Sequence, residues 1–124
     1  MTRVREILDA IVSGTPGAMG AGVIAMDGTP IDVVKLDAHF PLEAVNHEIT
    51  TLTKLLIYMC RKLHASGFND FMMSCERFTV LVAAPAPDRC VAVFLNGKAN
   101  VGTARVQLRR HVPELAAINE AVAG

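Results

Sequence analysis

Residues 15–31 read TPGAMGAGVIAMDGTPI, and this stretch decides how the rest of the chain is interpreted. Within it, residues 20–25 (GAGVIA) satisfy the G-x-G-x-x-A pattern of dinucleotide-binding turns, which needs a strand before the first glycine and a helix after the last. Here a helical pattern precedes the motif, and Asp27-Gly28, a strong hairpin signal, follows it. We therefore expect Gly20 and Gly22 to lie inside a strand, on a face without side chains that a helix can approach closely. We predict that no nucleotide binds there.

Working outward from this hairpin, the sequence predicts the element order α-β-β-α-β-β-β-α. Hairpin connections favour an antiparallel sheet, and strands that are apolar on both faces need helices on both sides, so the fold class is α+β. The predicted elements are a helix over about 3–13, strands over 18–26 and 30–36, a long helix from Pro41 to about Ser66 ended by Gly67, strands over 71–75, 78–84 and 90–95, and a last helix from about Ala99 that Pro113 kinks or restarts.

The composition indicates one compact domain over residues 1–124, with 52% hydrophobic residues and 12 basic residues balancing 12 acidic ones. The zero net charge argues against nucleic acid as a partner, and the longest apolar run, residues 17–26, is too short for membrane insertion. Cys60, Cys75 and Cys90 form no C-x-x-C pair. We expect reduced, buried thiols in a cytoplasmic protein, since no signal peptide is evident at the N-terminus.

The long helix carries the strongest periodic pattern in the chain. Seven apolar positions recur in steps of three and four and are expected to pack on the sheet: Leu42, Val45, Ile49, Leu52, Leu56, Met59 and Leu63. Residues 55–60 (LLIYMC) are apolar all the way round, so this helix should be buried on more than one side. We assign Leu55, Tyr58 and Met59 to contacts with a second subunit. The alternative is packing under the first or last helix of the same chain.

Three motifs together resemble the roadblock/dynein light chain family: Thr15-Pro16-Gly17-Ala18-x-Gly20-Ala21-x-Val23, Asp27-Gly28-x-Pro30-Ile31 and Asn100-x-Gly102-x-Ala104-Arg105. The resemblance implies a profilin-like/longin-like roadblock fold, a five-stranded antiparallel sheet in the order 2-1-5-4-3 between helices. It also implies a non-enzymatic homodimeric scaffold that regulates a small Ras-like GTPase, as MglB-like bacterial members act on a gliding-polarity GTPase. GTPase activation is part of this expectation. The alternatives are a small-ligand sensor and a structural subunit of a motility or trafficking assembly.

With that strand order, the second and third strands are the sheet edges. Pro30, Asp32 and Lys35 block pairing at the second strand, whereas the third has no charged residue. We therefore predict that the third strand pairs with its own copy, in an interface of about 1,600 Å² in total. The alternative is a covering loop of the same chain. The residues assigned to this edge are Phe71, Met72, Met73, Ser74 and Cys75.

No sequence motif indicates an enzyme, a cofactor or a metal. A nucleophile elbow, a Walker loop and an H-E-x-x-H motif are absent from the 124 residues. Cys60 and His64 have a metal-ligand spacing, but two ligands are too few for a closed site.

Arginines of the last helix suggest a second surface. Arg105 and Arg109 share a face, with Arg110 and Lys98 nearby, and form either a solvated patch or a docking surface for an acidic partner. Arg77 and Arg89 are predicted in turns, where arginine is usually solvated.

Overall fold

Three α-helices and five strands follow one another along residues 2–118, the part of the chain that this computed structural model describes. A short 3₁₀ helix precedes the second α-helix. The elements are α1 (Thr2–Ser13), β1 (Ala18–Ala25), β2 (Pro30–Lys35), the 3₁₀ helix (Leu42–Val45), α2 (Asn46–Lys62), β3 (Phe71–Ser74), β4 (Phe78–Ala86), β5 (Arg89–Asn96) and α3 (Val101–Ala117).

The strands form one antiparallel sheet in the order β2-β1-β5-β4-β3, which confirms the predicted fold class and strand order. β5 lies at the centre, and its residues from Arg89 to Leu95 are all buried because helices lie on both faces of the sheet. The β1–β2 hairpin turns at Asp27-Gly28, where Gly28 adopts a φ of +94° that glycine tolerates without strain. β2 and β3 are the two edges.

Two separate cores lie on the two faces of the sheet. One face packs on α1 and α3, whose apolar residues recur at helical spacing, as in Ile7, Leu8 and Ile11 of α1 and Leu108 and Leu115 of α3. The other face packs on the 3₁₀ helix and α2, and its core is smaller. It consists of Ile24, Leu42, Ile49, Val80, Val82, Cys90, Ala92 and Phe94.

The glycines of the opening motif lie inside β1, with Leu42 of the 3₁₀ helix against them. A Cβ atom on Gly20 would lie 2.9 Å from the carbonyl oxygen of Val34 and 3.2 Å from Leu42 Cδ1. Any larger residue at position 20 would therefore force the backbone or the 3₁₀ helix to move. The close approach that the glycine pattern predicted is made by this short helix.

The long helix is shorter than predicted at both ends. Residues 42–45 tighten into the 3₁₀ helix, and α2 begins only at Asn46. At the other end, the backbone N–H of Ala65 donates to Cys60 O (2.8 Å) and His64 adopts a left-handed φ of 58°. This Schellman-type bonding ends the helix at Lys62, well before Gly67, the predicted stop.

Pro113 does not end the last helix, so the predicted restart is wrong, whereas the predicted kink stays a prediction. α3 continues from Val101 to Ala117 with Pro113 inside it. Pro113 is exposed, so the carbonyl that its missing N–H would have bonded is on the side of the helix that water reaches.

Candidate functional site

The α2 helix buries polar residues against the sheet and exposes several of its large apolar side chains to solvent. Asn46, Thr50 and Thr53 are buried, whereas Leu55 is 54% and Met59 46% exposed. The prediction that the seven-residue stripe packs on the sheet is wrong, because only Leu42 and Ile49 of that stripe are buried. Helical periodicity identifies an apolar face but does not identify the surface that covers it.

The sheet-facing side of α2 carries short hydroxyl and amide side chains beside Ile49. The hydroxyl of Thr53 donates to Ile49 O (2.8 Å) and that of Thr50 to His47 O (2.9 Å), so both are satisfied within the helix. The side-chain oxygen of Asn46 is buried and has no hydrogen-bond partner among the described residues. This side of α2 buries little apolar area, so packing on the sheet stabilises α2 less than α1 or α3.

The β3 edge presents apolar side chains without a partner strand. β3 pairs only with β4, in a register that joins Phe71 to Val82 and Ser74 to Thr79, and its other side is unpaired within residues 2–118. Met72 and Met73 are exposed, Phe71 is half-buried, and Cys75 is exposed just beyond the strand. An edge of this kind is normally covered by another strand or chain.

The opposite edge is protected by paired charges. Asp32 of β2 binds Arg5 of α1, and Lys35 lies 3.0 Å from a carboxylate oxygen of Glu43. Burial alone would raise the pKa of Asp32, but Arg5 holds it below its usual range, as Lys35 does for the carboxyl pKa of Glu43. β2 is therefore unsuited to pairing with another chain, which leaves β3 as the open edge.

A cavity joins the exposed side of α2 to β3. It has a volume of about 210 Å³ and is lined by Ile49 and Leu52 of α2, Phe71 and Met73 of β3, and Phe78 and Phe94 beneath. Leu52 and Met73 are themselves exposed, so the apolar surface of α2 continues into that of β3. We call this area the α2–β3 surface; it comprises Leu52, Leu55, Tyr58, Met59, Phe71, Met72 and Met73.

Arg105 and Arg109 of α3 both bind one carboxylate. Arg105 Nε lies 3.2 Å from Asp70 Oδ1, and Arg109 Nη2 lies 3.2 Å from Asp70 Oδ2. The Asp70 side chain is 8% exposed, so this pair of arginines ties α3 to the residue before β3. Sequence reasoning did not single out Asp70, because it lies 35 residues from Arg105. Docking of an acidic partner on these arginines stays a prediction, and such a partner would compete with Asp70.

Arg89 is buried, contrary to the prediction of a solvated turn arginine. Its guanidinium donates to the carbonyl oxygens of Leu115 (2.9 Å) and Ile118, and it also binds Asp88. These carbonyls lie at the C-terminal end of α3, where a cation is favoured by the helix dipole. Arg89 therefore fastens α3 to the start of the central strand.

The cysteines do not share the buried environment that the sequence predicted. Cys90 is buried, Cys60 is half-buried and Cys75 is exposed, since β3 lies at an edge. Because α2 ends at Lys62, Cys60 and His64 do not share a continuous helix face. Within residues 2–118, no group of three or more His, Cys, Asp or Glu side chains is placed to hold a metal ion. In the same range, no helix has the length and apolar character to cross a membrane.

Solved structures share this fold over nearly the whole chain. The gliding protein MglB from Thermus thermophilus superposes with a TM-score of 0.84 at 20% identity, over 96% of this chain and 90% of that one. MglC from Myxococcus xanthus superposes with a TM-score of 0.67 at 23% identity, over 93% of this chain and 98% of that one. A roadblock/LC7 domain from Streptomyces avermitilis superposes with a TM-score of 0.67 at 15% identity, over 89% of this chain and 92% of that one. No protein-family model and no curated protein sequence matches. At these identities the likeness establishes the fold: this is a roadblock fold.

Proposed function

We propose that this chain, as one roadblock-type domain over residues 1–124, forms a homodimer that regulates a small Ras-like GTPase in the cytoplasm and is not itself an enzyme. The observation that carries the proposal is the α2–β3 surface, where an open sheet edge lies beside a helix with its apolar side exposed. One isologous interface with a second copy would cover both features. The residues assigned to it are Leu55, Tyr58, Met59, Phe71, Met72, Met73, Ser74 and Cys75.

The GTPase part of the proposal is supported by the family resemblance of residues 15–31 together with the roadblock fold. Regulation of a GTPase does not require a catalytic arginine, because a bound partner can order the switch loops of the GTPase. Arg89 is excluded from contact with a nucleotide by its burial. Arg77, in contrast, is exposed in the turn before β4, and the route that we propose for acceleration of hydrolysis is ordering of the GTPase.

The test is single-turnover GTP hydrolysis by the small Ras-like GTPase encoded nearest this gene, with and without the purified chain. We expect a stable complex and faster hydrolysis. Leu55→Glu, which places a charge in the α2–β3 surface, should reduce the effect, whereas Val106→Glu on the exposed side of α3 is the matched control. A complex without a rate change would favour a structural subunit. Failure to bind any Ras-like GTPase of the same genome would contradict the proposal.

The sensor alternative receives little support from the cavity. A metabolite site needs convergent polar groups within an apolar pocket. Among the residues that line this cavity, Glu48 carries the one polar side chain. A thermal-shift screen against nucleotides and metabolites tests the alternative, and we expect no stabilisation.

A further inference from the structure

Two concavities join into one groove that shares no residue with the α2–β3 surface. The first, of about 330 Å³, lies between the C-terminal end of α2 and the β4–β5 turn, and Arg61 lines it. The second, of about 270 Å³, lies against α3 and is lined by Arg109. Phe68 and Ala84 line both, so the two are continuous. We call this concavity the Phe68 groove, which runs from Arg61 past Phe68 and Ala84 to Arg109.

The α2 end of the groove lies on the sheet-facing side of that helix. Ile57 and Arg61 follow Thr53 in steps of four, and residues four apart share one face of a helix. Thr53 is buried, whereas Leu55 on the other side of α2 is exposed. A second copy on the α2–β3 surface would approach the side that carries Leu55, so it would leave the Phe68 groove open.

The wall of the groove includes a stretch of β4 that β3 does not cover. β3 pairs with β4 only as far as Val82, whereas β4 continues to Ala86. Within the described part of the chain, no backbone hydrogen bond joins residues 83–86 to the segment before β3. The register of β4 against β5 also shifts between Ala83 and Ala86, and bulges of this kind are common beside binding sites. An extended peptide has free backbone groups to offer such an edge, whereas a helix uses its own internally.

The charged side chains that line the groove are both guanidinium groups, and none of the lining residues is acidic. Arg61 is exposed and takes part in no ion pair among residues 2–118. Arg109 shares the carboxylate of Asp70 with Arg105, so a ligand can compete for Arg109 without leaving Asp70 unpaired. The groove therefore carries a cation at each end and is complementary to a ligand with two separated carboxylates.

The middle of the groove is apolar. Phe68 is half-buried, and its ring centroid lies 6.0 Å from that of Phe71. Ala84 is also half-buried, and its small side chain leaves space beside the Phe68 ring. An apolar side chain of a ligand can occupy this space. An anionic lipid surface supplies charge but no side chain that enters a concave groove, so the shape and the charge together favour a peptide.

We propose that the Phe68 groove binds an extended acidic segment of a protein partner, with one carboxylate on Arg61, another on Arg109 and an apolar side chain between them against Phe68. The inference goes beyond the proposed function, because the groove is complete within one chain and requires neither the homodimer nor the GTPase. It extends the docking surface predicted at Arg105 and Arg109 to a second arginine on another helix and gives the ligand its form.

A random dodecapeptide library displayed on phage and selected on the wild-type chain supplies the probe. We expect the enriched peptides to carry at least two acidic residues with an apolar residue between them. A fluorescein-labelled copy of the most enriched peptide is then titrated by fluorescence anisotropy. Arg61→Glu should weaken its binding by about tenfold at low salt. Arg110→Glu, an equal charge change at an exposed residue outside the groove, is the matched control and should change the affinity by less than about twofold.

Two further variants test the other parts of the groove. Ala84→Leu fills the point where the two concavities meet and should weaken peptide binding by at least about tenfold. Asp70→Asn removes the carboxylate that competes for Arg109, so it should tighten binding by about threefold. Circular dichroism checks that both variants fold. If Asp70→Asn fails to fold, a peptide copy with each acidic residue in turn replaced by lysine replaces it, and one copy should bind Arg61→Glu more tightly than the wild type.

The outcomes separate this inference from the proposed function. Leu55→Glu, which should dissociate the homodimer, is expected to leave peptide affinity unchanged. Selection without an acidic consensus overturns the inference, as does a peptide that loses affinity with Leu55→Glu or Arg110→Glu but not with Arg61→Glu. Binding to phosphatidylserine vesicles without any enriched peptide would assign the arginines to a lipid surface and also overturn it. None of these results affects the homodimer or GTP hydrolysis, which are measured without peptide.

Discussion

Arg89 joins the start of β5 to the end of α3 through one guanidinium group. Removing it leaves two helix-end carbonyls without a charged donor in a region that water barely reaches, since Arg89 is 4% exposed. We expect Arg89→Ala to lower the free energy of unfolding in urea by about 3 kcal/mol. Arg77→Ala, in the exposed β3–β4 turn, should change it by less than about 0.5 kcal/mol. Equal effects of the two substitutions would contradict the assigned role.

Cys90 makes stability depend on pH in the alkaline range. Burial raises the pKa of its thiol from 9.0 to about 11, although the Thr53 hydroxyl acts in the opposite direction. Between these two values the unfolded chain ionises and the folded chain does not, so stability that is present below pH 9 is lost as the pH rises towards 11. Urea unfolding should show that the wild type loses about 2–3 kcal/mol more than Cys90→Ala over this range. If the free energy of unfolding fell equally with pH in the wild type and in Cys90→Ala, the role assigned to the Cys90 thiol would be contradicted.

At the scale of single residues, the sequence predicted chemistry well only where the partners are near in the chain. The Asp27-Gly28 signal of the first hairpin refers to a neighbour two residues away, since the backbone N–H of Thr29 donates to Asp27 Oδ1. Arg89 was predicted in a solvated turn, but it begins β5 and is buried, because its carbonyl partners lie 26 and 29 residues further along. Asp70 was missed for the same reason.

At the scale of elements, the approach of the 3₁₀ helix to β1 depends on Gly20. Gly20→Ala places a Cβ atom 2.9 Å from a backbone oxygen, so we expect a loss of about 1–3 kcal/mol in the free energy of unfolding. Gly22→Ala is the matched control on the same strand face, since its Cβ would lie 3.4 Å from Val33 Cγ2 and 3.5 Å from Leu42 Cδ2, which are ordinary contacts. The expected order of stability, measured in urea, would be contradicted if Gly22→Ala were the more damaging.

The end of α2 gives a second test at this scale. His64 holds a left-handed conformation that glycine adopts more easily, so His64→Gly should stabilise the chain by about 1 kcal/mol. Gly67 has no neighbour within 4 Å of a built Cβ atom, and Gly67→Ala should therefore not destabilise. Thermal unfolding of both variants checks this. A helix that extended to Ser66 and stopped at Gly67 would give the reverse result.

The order of the three α-helices and five strands could be predicted from the sequence, whereas the 3₁₀ helix and the orientation of α2 could not. The strands were predicted from apolar runs and hairpin signals, both of which are local. The apolar stripe of α2 was assigned to the sheet, because in a single chain an apolar stripe normally packs on the core. Buried Thr50 and Thr53 carry no signal that distinguishes a sheet-facing position from a solvated one in sequence.

At the scale of the whole molecule, one account explains the exposed side of α2, the open edge of β3 and the cavity between them. Each would be unfavourable in a chain that remained alone in water, since together they leave a contiguous apolar surface and an unpaired strand. A second copy on this face would remove all three at once. The central claim is therefore that the α2–β3 surface is an interface between two copies of this chain.

Sedimentation equilibrium of the wild-type chain at micromolar concentration tests that claim most directly. The account predicts a particle of two chains of 13.3 kDa each, and a folded single chain once Leu55→Glu places a charge on the apolar side of α2. A wild-type chain that remains folded as a 13.3 kDa particle across this concentration range would contradict it.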